Sequence, residues 1–377
     1  MSKTLQDYAT LINDTIQSNE INHYITTDNM RQNLGGIDTL KNINIPQGKV
    51  RSFQKDDVLL SNIRLYFRKV YKAKQKGGCS SDILVFRAKH IDSATLFAIL
   101  SSQIFTDYAC LGSQGSKMPR GNKTHMMDFK IPTINFTIAK IFNSIQNKIE
   151  NNHKINELLH KILELLYEQY FVRFDFLDEN NKPYQTSGGK MKFSKELNRL
   201  IPSGWSVRFL NHKIVSTYQP KTISKTLLND SYSYSVYGGG GIIGRFTEYN
   251  HEQSEFIISC RGQCGISYLT LPKSWITGNA MVIRPTKSYT SKTYLYHTIK
   301  KYKLTNYITG SVQPQITRQN LSTMPILIPK RKTLNKWNNI SSLLWNLIHN
   351  NMQSTQTLTA LRDFLLPLLL KQQVKPK

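Results

Sequence analysis

The sequence predicts an α+β chain in which two β-rich modules, arranged as a tandem repeat, alternate with two long helices. Two observations lead to this prediction. Short β-branched motifs recur at an offset near 197 residues, and each copy ends in a long helical pattern that begins after an Ile-Pro pair. A length of 377 residues accommodates two or three domains of about 100–200 residues each.

The repeat is carried by matching strand-like segments. Residues 58–61 resemble residues 256–259, and residues 83–87 resemble residues 280–284. A third match joins 127–132 to 324–329, the segments that end in Ile-Pro. The alternative is a chance likeness between unrelated β-rich stretches.

Each Ile-Pro pair marks a change from Gly, Ser and aromatic residues to helical periodicity. We therefore expect a first module, a helical segment, a linker, a second module and a second helical segment, with the bounds 1–135, 136–180, 181–202, 203–331 and 332–377. The linker is predicted from its turn residues and from the lack of any apolar period.

Each helical segment carries a narrow apolar stripe that includes one Asn. The first stripe is Ile145, Ile149, Asn152, Ile155, Leu159, Ile162 and Leu166, and the second is Leu344, Ile348, Asn351, Leu358, Leu361, Leu365 and Leu368. A helix of about 30 residues would be about 45 Å long and needs a long partner. The sequence thus predicts two antiparallel helices in a coiled-coil spacer, in which buried Asn fixes the register. Two amphipathic helices that lie separately on their own modules are the alternative. Pro367 predicts a kink or an end in the second helix.

The charge predicts a polyanionic partner. The chain has 50 Lys and Arg against 24 Asp and Glu, a net charge of +26. Such an excess favours nucleic acid over a membrane surface or a merely basic enzyme. Because no apolar run has the length of a signal peptide or a membrane span, we expect a cytoplasmic protein without membrane partners.

Enzymatic signatures are weak. Gly239, Gly241 and Gly244 have the spacing of a dinucleotide fingerprint, but no strand-to-helix context surrounds them. We interpret residues 238–241 as a glycine loop that permits close approach to a ligand. No clustered carboxylates indicate a metal-dependent nuclease, so the sequence predicts neither a catalytic nor a metal site in this chain.

Basic and amide side chains in predicted loops are the candidate DNA-binding residues, because Arg can read guanine and Gln can read adenine in the major groove. The set also includes two glycines that would permit close approach of DNA. It consists of Arg64, Arg68, Lys69, Lys117, Arg120, Lys123, Gly239, Gly240, Arg245, Arg261, Lys287, Gln313, Gln315 and Arg318. For each residue taken singly, a solvated basic face that binds phosphates without discrimination remains the competing interpretation.

Several segments resemble the specificity (S) subunit of type I restriction-modification enzymes. The segments that resemble it most are 171–176, 182–184, 187–191, 201–205, 237–244, 258–265, 310–317 and 326–329. The first module matches less well, because residues 5–8 lack the Pro-x-Gly-Trp opening and Lys117-Met118-Pro119-Arg120 replaces Val-Gln-Pro-Gln.

The resemblance implies two target recognition domains, each of which reads one half of a bipartite site in double-stranded DNA. It also implies that the helices separate these domains and dock two methylation (M) subunits, which would bind S-adenosylmethionine. Restriction and translocase (R) subunits would use ATP and Mg²⁺, and this chain would hold no cofactor and would not be an enzyme by itself. The protein would act in the prokaryotic cytoplasm, associated with the nucleoid through DNA. The alternatives are a stand-alone DNA-binding or adaptor protein and a nuclease with an unrecognised active site.

Overall fold

The computed structural model describes residues 3–39, 41, 43–131, 133–229, 232–310 and 313–370. Pro132, Ser311 and Val312, which belong to the motifs above, and the C-terminal residues 371–377 lie outside this description. The α-helices are α1 (Leu5–Tyr8), α2 (Ser93–Ser101), α3 (Gln103–Leu111), α4 (Lys123–Met127), α5 (Phe136–Tyr167), α6 (Lys292–Lys300), α7 (Arg318–Leu321) and α8 (Arg331–Leu365). Short 3-10 helices span Ser18–Glu20, Leu65–Phe67, Lys225–Leu227, Leu304–Tyr307 and Leu366–Leu370, and a π-helical turn spans Glu168–Val172.

Most of the strands are short. The strands of the first part are β1 (Lys3–Thr4), β2 (Ala9–Ile12), β3 (Thr15–Gln17), β4 (Tyr24–Ile25), β5 (Lys49–Phe53), β6 (Val58–Ser61), β7 (Val70–Lys72), β8 (Gly77–Cys79), β9 (Ile83–Ala88) and β10 (Lys130–Ile131). Those of the second part are β11 (Met191–Ser194), β12 (Arg199–Pro202), β13 (Ser206–Phe209), β14 (Val215–Tyr218), β15 (Tyr234–Gly238), β16 (Gly241–Phe246), β17 (Phe256–Ser259), β18 (Ser267–Leu269), β19 (Trp275–Ile276), β20 (Ala280–Pro285), β21 (Ile308–Thr309), β22 (Gln315–Ile316) and β23 (Pro325–Ile328).

The chain forms two compact units. The first unit combines residues 1–158 with 350–377, and the second unit is residues 159–349. Both long helices, α5 and α8, therefore contribute one part to each unit. This division differs from the segments derived from the sequence, because each module packs against the parts of α5 and α8 in its own unit.

A four-stranded antiparallel sheet of the order β2-β9-β6-β7 lies in the first unit. Strand β6 is buried along its whole length, as expected for an apolar strand covered on both faces. Helix α2 packs against this sheet and contributes a continuous run of buried residues to the core of the unit. A second sheet, β3-β5-β8-β4, ends in a parallel pair of strands.

The second unit repeats this topology. Its four-stranded sheet has the order β14-β20-β17-β18, which places equivalent strands in the same positions. Helix α6 corresponds to α2, and α7 corresponds to α4. Both α4 and α7 have a side-chain N-cap, which is Asn122 in α4 and Thr317 in α7. The tandem repeat inferred from the sequence is thus confirmed.

Equivalent ion pairs, each with a buried carboxylate, reinforce the match. In the first unit Arg87 donates two hydrogen bonds of 2.8 Å to the Asp57 carboxylate. In the second unit Arg284 binds Glu255 in the same two-pronged manner, with Nη2 to Oε1 at 2.6 Å and Nε to Oε2 at 3.1 Å. Each pair joins one inner strand of the sheet, β9 or β20, to the residue just before the other inner strand, β6 or β17, so these arginines have a structural role.

The long helices pack antiparallel in each unit. In the first unit Gln146 of α5 accepts a hydrogen bond of 3.3 Å from Arg362, near the end of α8. In the second unit His160 of α5 lies 5.1 Å from Trp345, between ring centroids, and Tyr167 lies 5.9 Å from Trp337. Residues later in α5 thus meet residues earlier in α8, and the predicted α+β class with two long antiparallel helices is confirmed.

The predicted seam between the helices is wrong in part. Ile155 and Ile162 are 43% and 45% exposed, and Leu361 is 44% exposed. From Asn152 onward the inward face of α5 passes through His160 and Leu163 instead, and in α8 the buried residue is Arg362. The physical reason is that polar and aromatic side chains fill the seam where they find partners, which leaves several aliphatic residues outside.

The ends of the long helices have local causes. Helix α8 ends at Leu365 and continues as the 3-10 helix that contains Pro367, which agrees with the predicted end. Helix α5 runs into the π-helical turn, which ends at Val172, so the last residues of the 136–180 segment are not helical.

Over the described residues, no one helix has both the length and the apolar composition for crossing a membrane. The bent pair Ser93–Ser101 and Gln103–Leu111 meets the two criteria only when both helices are taken together.

Candidate nucleic-acid interface

Three loops of the second unit meet at one end of its four-stranded sheet. We call residues 238–241, 260–265 and 313–318 the second-unit loop cluster. Arg261 and Gln315 form an antiparallel β-bridge, and the amide of Ile316 donates to the carbonyl of Cys260 at 3.1 Å. Backbone hydrogen bonds therefore fix the spacing of two loops that carry candidate DNA-binding side chains.

The glycine loop packs against this pair of loops. Residues 238–241 close the β15–β16 hairpin, and Gly241 has a positive φ of 100°. A Cβ on Gly239 would lie only 2.6 Å from the Arg261 carbonyl oxygen. A Cβ on Gly240 would meet nothing nearer than the Gln263 side-chain oxygen at 3.7 Å. Gly239 is thus required for loop packing, whereas Gly240 leaves an open surface for a ligand.

Arg261, Gln313, Gln315 and Arg318 are all exposed in the second-unit loop cluster. Arg318 is the first residue of α7, whose N-cap Thr317 accepts a hydrogen bond from the Asn320 amide. Neither Arg261 nor Arg318 has an ion-pair partner among the residues that the structure describes. The four side chains form a set of donors and acceptors that is open to solvent.

Gln263 is a loop residue that the sequence reasoning did not select. Its side chain is exposed beside Gly240, and its carbonyl oxygen accepts a hydrogen bond from the Ser259 hydroxyl at 2.5 Å. The amide therefore sits on an anchored turn between Arg261 and Cys264. The sequence could have indicated Gln263 as a binding residue, because it lies two positions after Arg261 in a Gly-rich loop.

Two other candidates of the second module lie outside this cluster. Arg245 is near the far end of β16 and donates to the carbonyls of Tyr232 and Ser233. Lys287 is exposed beyond the end of β20, whereas the opposite end of that strand, at Ala280, adjoins the cluster. The structure does not bring either residue to Arg261.

The first unit contains an equivalent arrangement. Arg120 forms β-bridges with Ile63 and Gln114, and the Arg64 amide donates to the Pro119 carbonyl at 2.9 Å. Lys117, Arg120 and Lys123 are exposed on this segment. Arg120 also pairs with Asp82 at 2.9 Å, and Lys123 begins α4 as Arg318 begins α7. We call residues 62–64 and 114–123 the first-unit loop cluster.

Three basic candidates of the first module are directed into their own unit. Arg64, Arg68 and Lys69 are half-buried, and they donate to the carbonyls of Lys117, Ser101 and Thr27, respectively. Burial lowers the pKa of both Arg68 and Lys69 below their ordinary values. The sequence pattern predicted that these three cationic side chains are free to bind DNA. The pattern cannot show that backbone carbonyls of the same unit accept their hydrogen bonds.

The chemistry of the two clusters suits recognition. They supply exposed guanidinium, ammonium and amide groups on backbone-anchored loops, which can bind phosphates and base edges. Within the described residues, no group of three or more His, Cys, Asp or Glu is arranged to hold a metal ion.

Comparisons with known proteins agree with this geometry. Residues 202–361 match a family described as "Type I restriction modification DNA specificity domain". The type I restriction enzyme MjaIX specificity subunit of Methanocaldococcus jannaschii is 22% identical over 315 residues, which cover 74% of this chain and 68% of that protein. The crystal structure of a type I restriction-modification system S subunit from M. genitalium has a similar fold, with a TM-score of 0.63 and 14% identity over 99% of this chain and 96% of that one.

Proposed function

We propose that the chain belongs to the type I restriction-modification DNA specificity family, whose model residues 202–361 match, and that its two β-rich modules are target recognition domains that each read one half of a bipartite DNA target. The chain acts as the specificity subunit of a restriction-modification complex. Catalysis belongs to its partner subunits in this proposal.

One observation carries the proposal. The bridge between Arg261 and Gln315 in the second unit has a counterpart in the bridge between Ile63 and Arg120 in the first. Both bridges lie at the equivalent end of the same four-stranded topology and present exposed basic or amide side chains. Two similar surfaces with different side chains are what two half-sites of different sequence require.

The surrounding charge supports DNA as the ligand. A net charge of +26 supplies attraction to phosphates, and the two loop clusters supply side chains that can distinguish bases. In this assignment Arg261, Gln263 and Gln315 contact base edges, whereas Lys117, Lys123 and Lys287 contact phosphates.

The long helices offer docking surfaces for methylation subunits. Helix α5 exposes Ile155, Leu158, Ile162 and Leu165 at spacings of three and four residues, and α8 exposes Ile340, Leu343 and Leu347 in the same way. Uncovered apolar stripes of this kind fit the helices of a partner. We assign them to two methylation (M) subunits, with R subunits joining the same complex.

The proposal places cofactors outside this chain. S-adenosylmethionine would bind the M subunits, while ATP and Mg²⁺ would bind the R subunits. The complex would act on DNA in the prokaryotic cytoplasm.

The decisive experiment exchanges one module. Residues 203–330 are replaced by the equivalent module of a relative, the chimera is expressed with its cognate M subunits, and the methylated adenines are mapped. We expect one half-site to change and the other to persist. A change in both half-sites, or in neither, contradicts the assignment of one module to each half-site.

A second experiment tests the docking surface. Leu165→Glu and Leu343→Glu place charges on the exposed stripes, so we expect loss of co-purification with the M subunit while DNA affinity stays within about twofold. Glu at the exposed position Ser342 of the same helix is the matched control. Unchanged M-subunit binding by both leucine variants would reject this surface.

A further inference from the structure

The second unit contains a cavity of about 310 Å³ outside both loop clusters. It lies between the joint that follows α5 and the start of α8, and residues 176–180, Tyr184, 202–205 and 330–336 contribute to its lining. Strand β23 separates it along the chain from Arg318. The cavity is therefore not part of the proposed base-reading surface.

One side of the cavity is cationic. Lys330, Lys332 and Lys336 line it beside the first turn of α8. The first hydrogen bond of that helix is from the Leu334 amide to the Lys330 carbonyl at 3.0 Å, so the preceding amides at 331–333 have no helical acceptor. Lysines and a helix N-terminus together favour an anion.

Thr333 provides an independent sign of a ligand. Its side chain is 7% exposed and lines the cavity. Across the residues that the structure describes, its hydroxyl has no hydrogen-bond partner. The Thr333 hydroxyl is accessible from the cavity, where a ligand oxygen can accept its hydrogen bond.

Part of the cavity lining is aromatic. Phe176 stacks between Trp205, at 5.1 Å, and Tyr184, at 4.9 Å, measured between ring centroids. Gly204 lies under the Lys330 side chain, because a Cβ there would be 2.2 Å from the Lys330 Cε. The absence of a side chain at Gly204 thus allows Lys330 to reach the cavity wall.

Two carboxylates also lie on the cavity lining. Asp178 is directed toward its own turn, where it accepts hydrogen bonds of 2.8 Å from the amides of Asn180 and Lys182. Glu179 is exposed. The three lysines outnumber these two carboxylates, and the helix N-terminus adds further positive potential.

We propose that this cavity binds a small organic phosphate of nucleotide size. The phosphate lies against Lys332, the Thr333 hydroxyl and the first turn of α8, while the organic part lies along Phe176 and Tyr184. The volume is at the lower end of the range for small-molecule sites, about 300–1,000 Å³, which suits a nucleoside monophosphate better than a larger cofactor.

Calorimetric titration of the full chain with adenosine monophosphate tests the proposal, with adenosine and inorganic phosphate in parallel. We expect saturable binding of the monophosphate at one site, competition by inorganic phosphate, and at least tenfold weaker binding of adenosine. No saturable binding of the monophosphate, or equal affinity for adenosine, would overturn the proposal.

Two variants locate the site. Thr333→Val keeps the shape of the side chain and removes the hydroxyl, and Lys332→Ala removes one charge. Each should weaken monophosphate binding at least tenfold. Lys195→Ala, in the exposed turn of the β11–β12 hairpin at the end remote from Pro202, should stay within twofold.

Melting temperatures check the fold, and Lys332→Ala decides the outcome if Thr333→Val fails to fold. Unchanged monophosphate binding in folded Lys332→Ala contradicts the assignment. A loss of duplex-DNA affinity in these variants with unchanged monophosphate binding would identify a DNA phosphate contact instead, and would also overturn the proposal. The test is independent of which DNA sequence the modules read.

Discussion

Asn152 and Asn351 meet across the two long helices in the first unit. The Asn152 side-chain amide donates to the Asn351 carbonyl at 3.5 Å and to the Thr355 hydroxyl at 3.2 Å, and the Asn351 amide donates to Asn156 at 2.9 Å. Asn152 is 1% exposed, and its side-chain oxygen has no partner among the described residues. This buried polar contact therefore lowers the stability of the helix pair but specifies its register.

Asn152→Leu should raise the stability of the first unit. An apolar side chain removes the unpartnered buried oxygen and adds buried aliphatic area, so we expect the free energy of unfolding to rise by about 1 kcal/mol. Thermal or urea unfolding measures the change. Asn151→Leu, at an exposed position of α5, is the control and should have little effect. A fall of more than about 1 kcal/mol for Asn152→Leu would show that the amide hydrogen bonds are stabilising on balance.

Gly239→Ala and Gly240→Ala should differ sharply in DNA binding. A Cβ at 239 would lie 2.6 Å from the Arg261 carbonyl, whereas the nearest atom to a Cβ at 240 is 3.7 Å away. Overpacking costs about 1–3 kcal/mol, and we expect it to displace the Arg261 loop. Gly239→Ala should therefore weaken binding to the cognate site by about tenfold or more, and Gly240→Ala by less than about threefold. Equal affinities of the two variants would show that the loop contact does not position the binding residues.

Alanine at Arg261, Gln263 or Gln315 should relax recognition at single base pairs of one half-site. A lost bidentate base contact costs about 1–3 kcal/mol at its own position, whereas a lost phosphate contact weakens all sequences alike. Methylation profiling with the cognate M subunits separates the two effects. Lys287→Ala is the comparison, since this exposed lysine lies beyond the other end of β20. A uniform loss for all three variants would reassign them to phosphates.

Arg362→Ala should destabilise the first unit strongly. The Arg362 side chain is 2% exposed and donates to the Asn33 carbonyl at 3.2 Å, to Gln146 at 3.3 Å and to Asp363 at 2.9 Å. Its removal leaves a cavity and unsatisfied acceptors, so we expect a loss of about 3–5 kcal/mol in urea unfolding. Arg331→Ala, at an exposed position of the same helix, should cost less than about 0.5 kcal/mol. A small effect at 362 would mean that water replaces the guanidinium there.

Acid should destabilise the second unit through two buried histidines. Burial lowers the pKa of His297 to about 3 and that of His349 to about 4, both below the ordinary value of 6.5. Because the folded-state pKa lies below the unfolded one, protonation favours the unfolded chain. The stability that neutral His provides is complete above pH 6.5, and it falls by about 1.4 kcal/mol per pH unit and per histidine as the pH drops toward the folded pKa.

Unfolding measured from pH 7 to pH 4 checks this prediction. His297→Gln should flatten the pH dependence, whereas His212→Gln, at an exposed position, should leave it unchanged. An identical slope for wild type and His297→Gln would exclude His297 as the source of acid sensitivity.

Particular residues show how far the sequence could lead. The sheet repeat was predictable because β6 and β17 are continuous apolar runs, which local composition reveals. The helix seam was not, because periodicity favours Leu361 over its neighbour Arg362. Only the fold shows that Asn33 and Gln146, distant in sequence, supply acceptors for a buried guanidinium.

The candidate site was predictable to a similar extent. Arg261 and Gln315 stood out by residue type, and the structure brings them together. Arg68 is also an arginine, but it donates to the carbonyl of Ser101. The two residues are 33 positions apart in the sequence, so no local pattern could predict this contact.

The division of the long helices between the units has a consequence for synthesis on the ribosome. The second unit is one contiguous stretch, residues 159–349, and can complete its fold as soon as that stretch has emerged. The first unit must wait for residues 350–370, because Leu366, Leu369 and Leu370 belong to its apolar core. The part of the protein that is translated first is therefore the part that matures last, and until then its unfinished core depends on protection from aggregation.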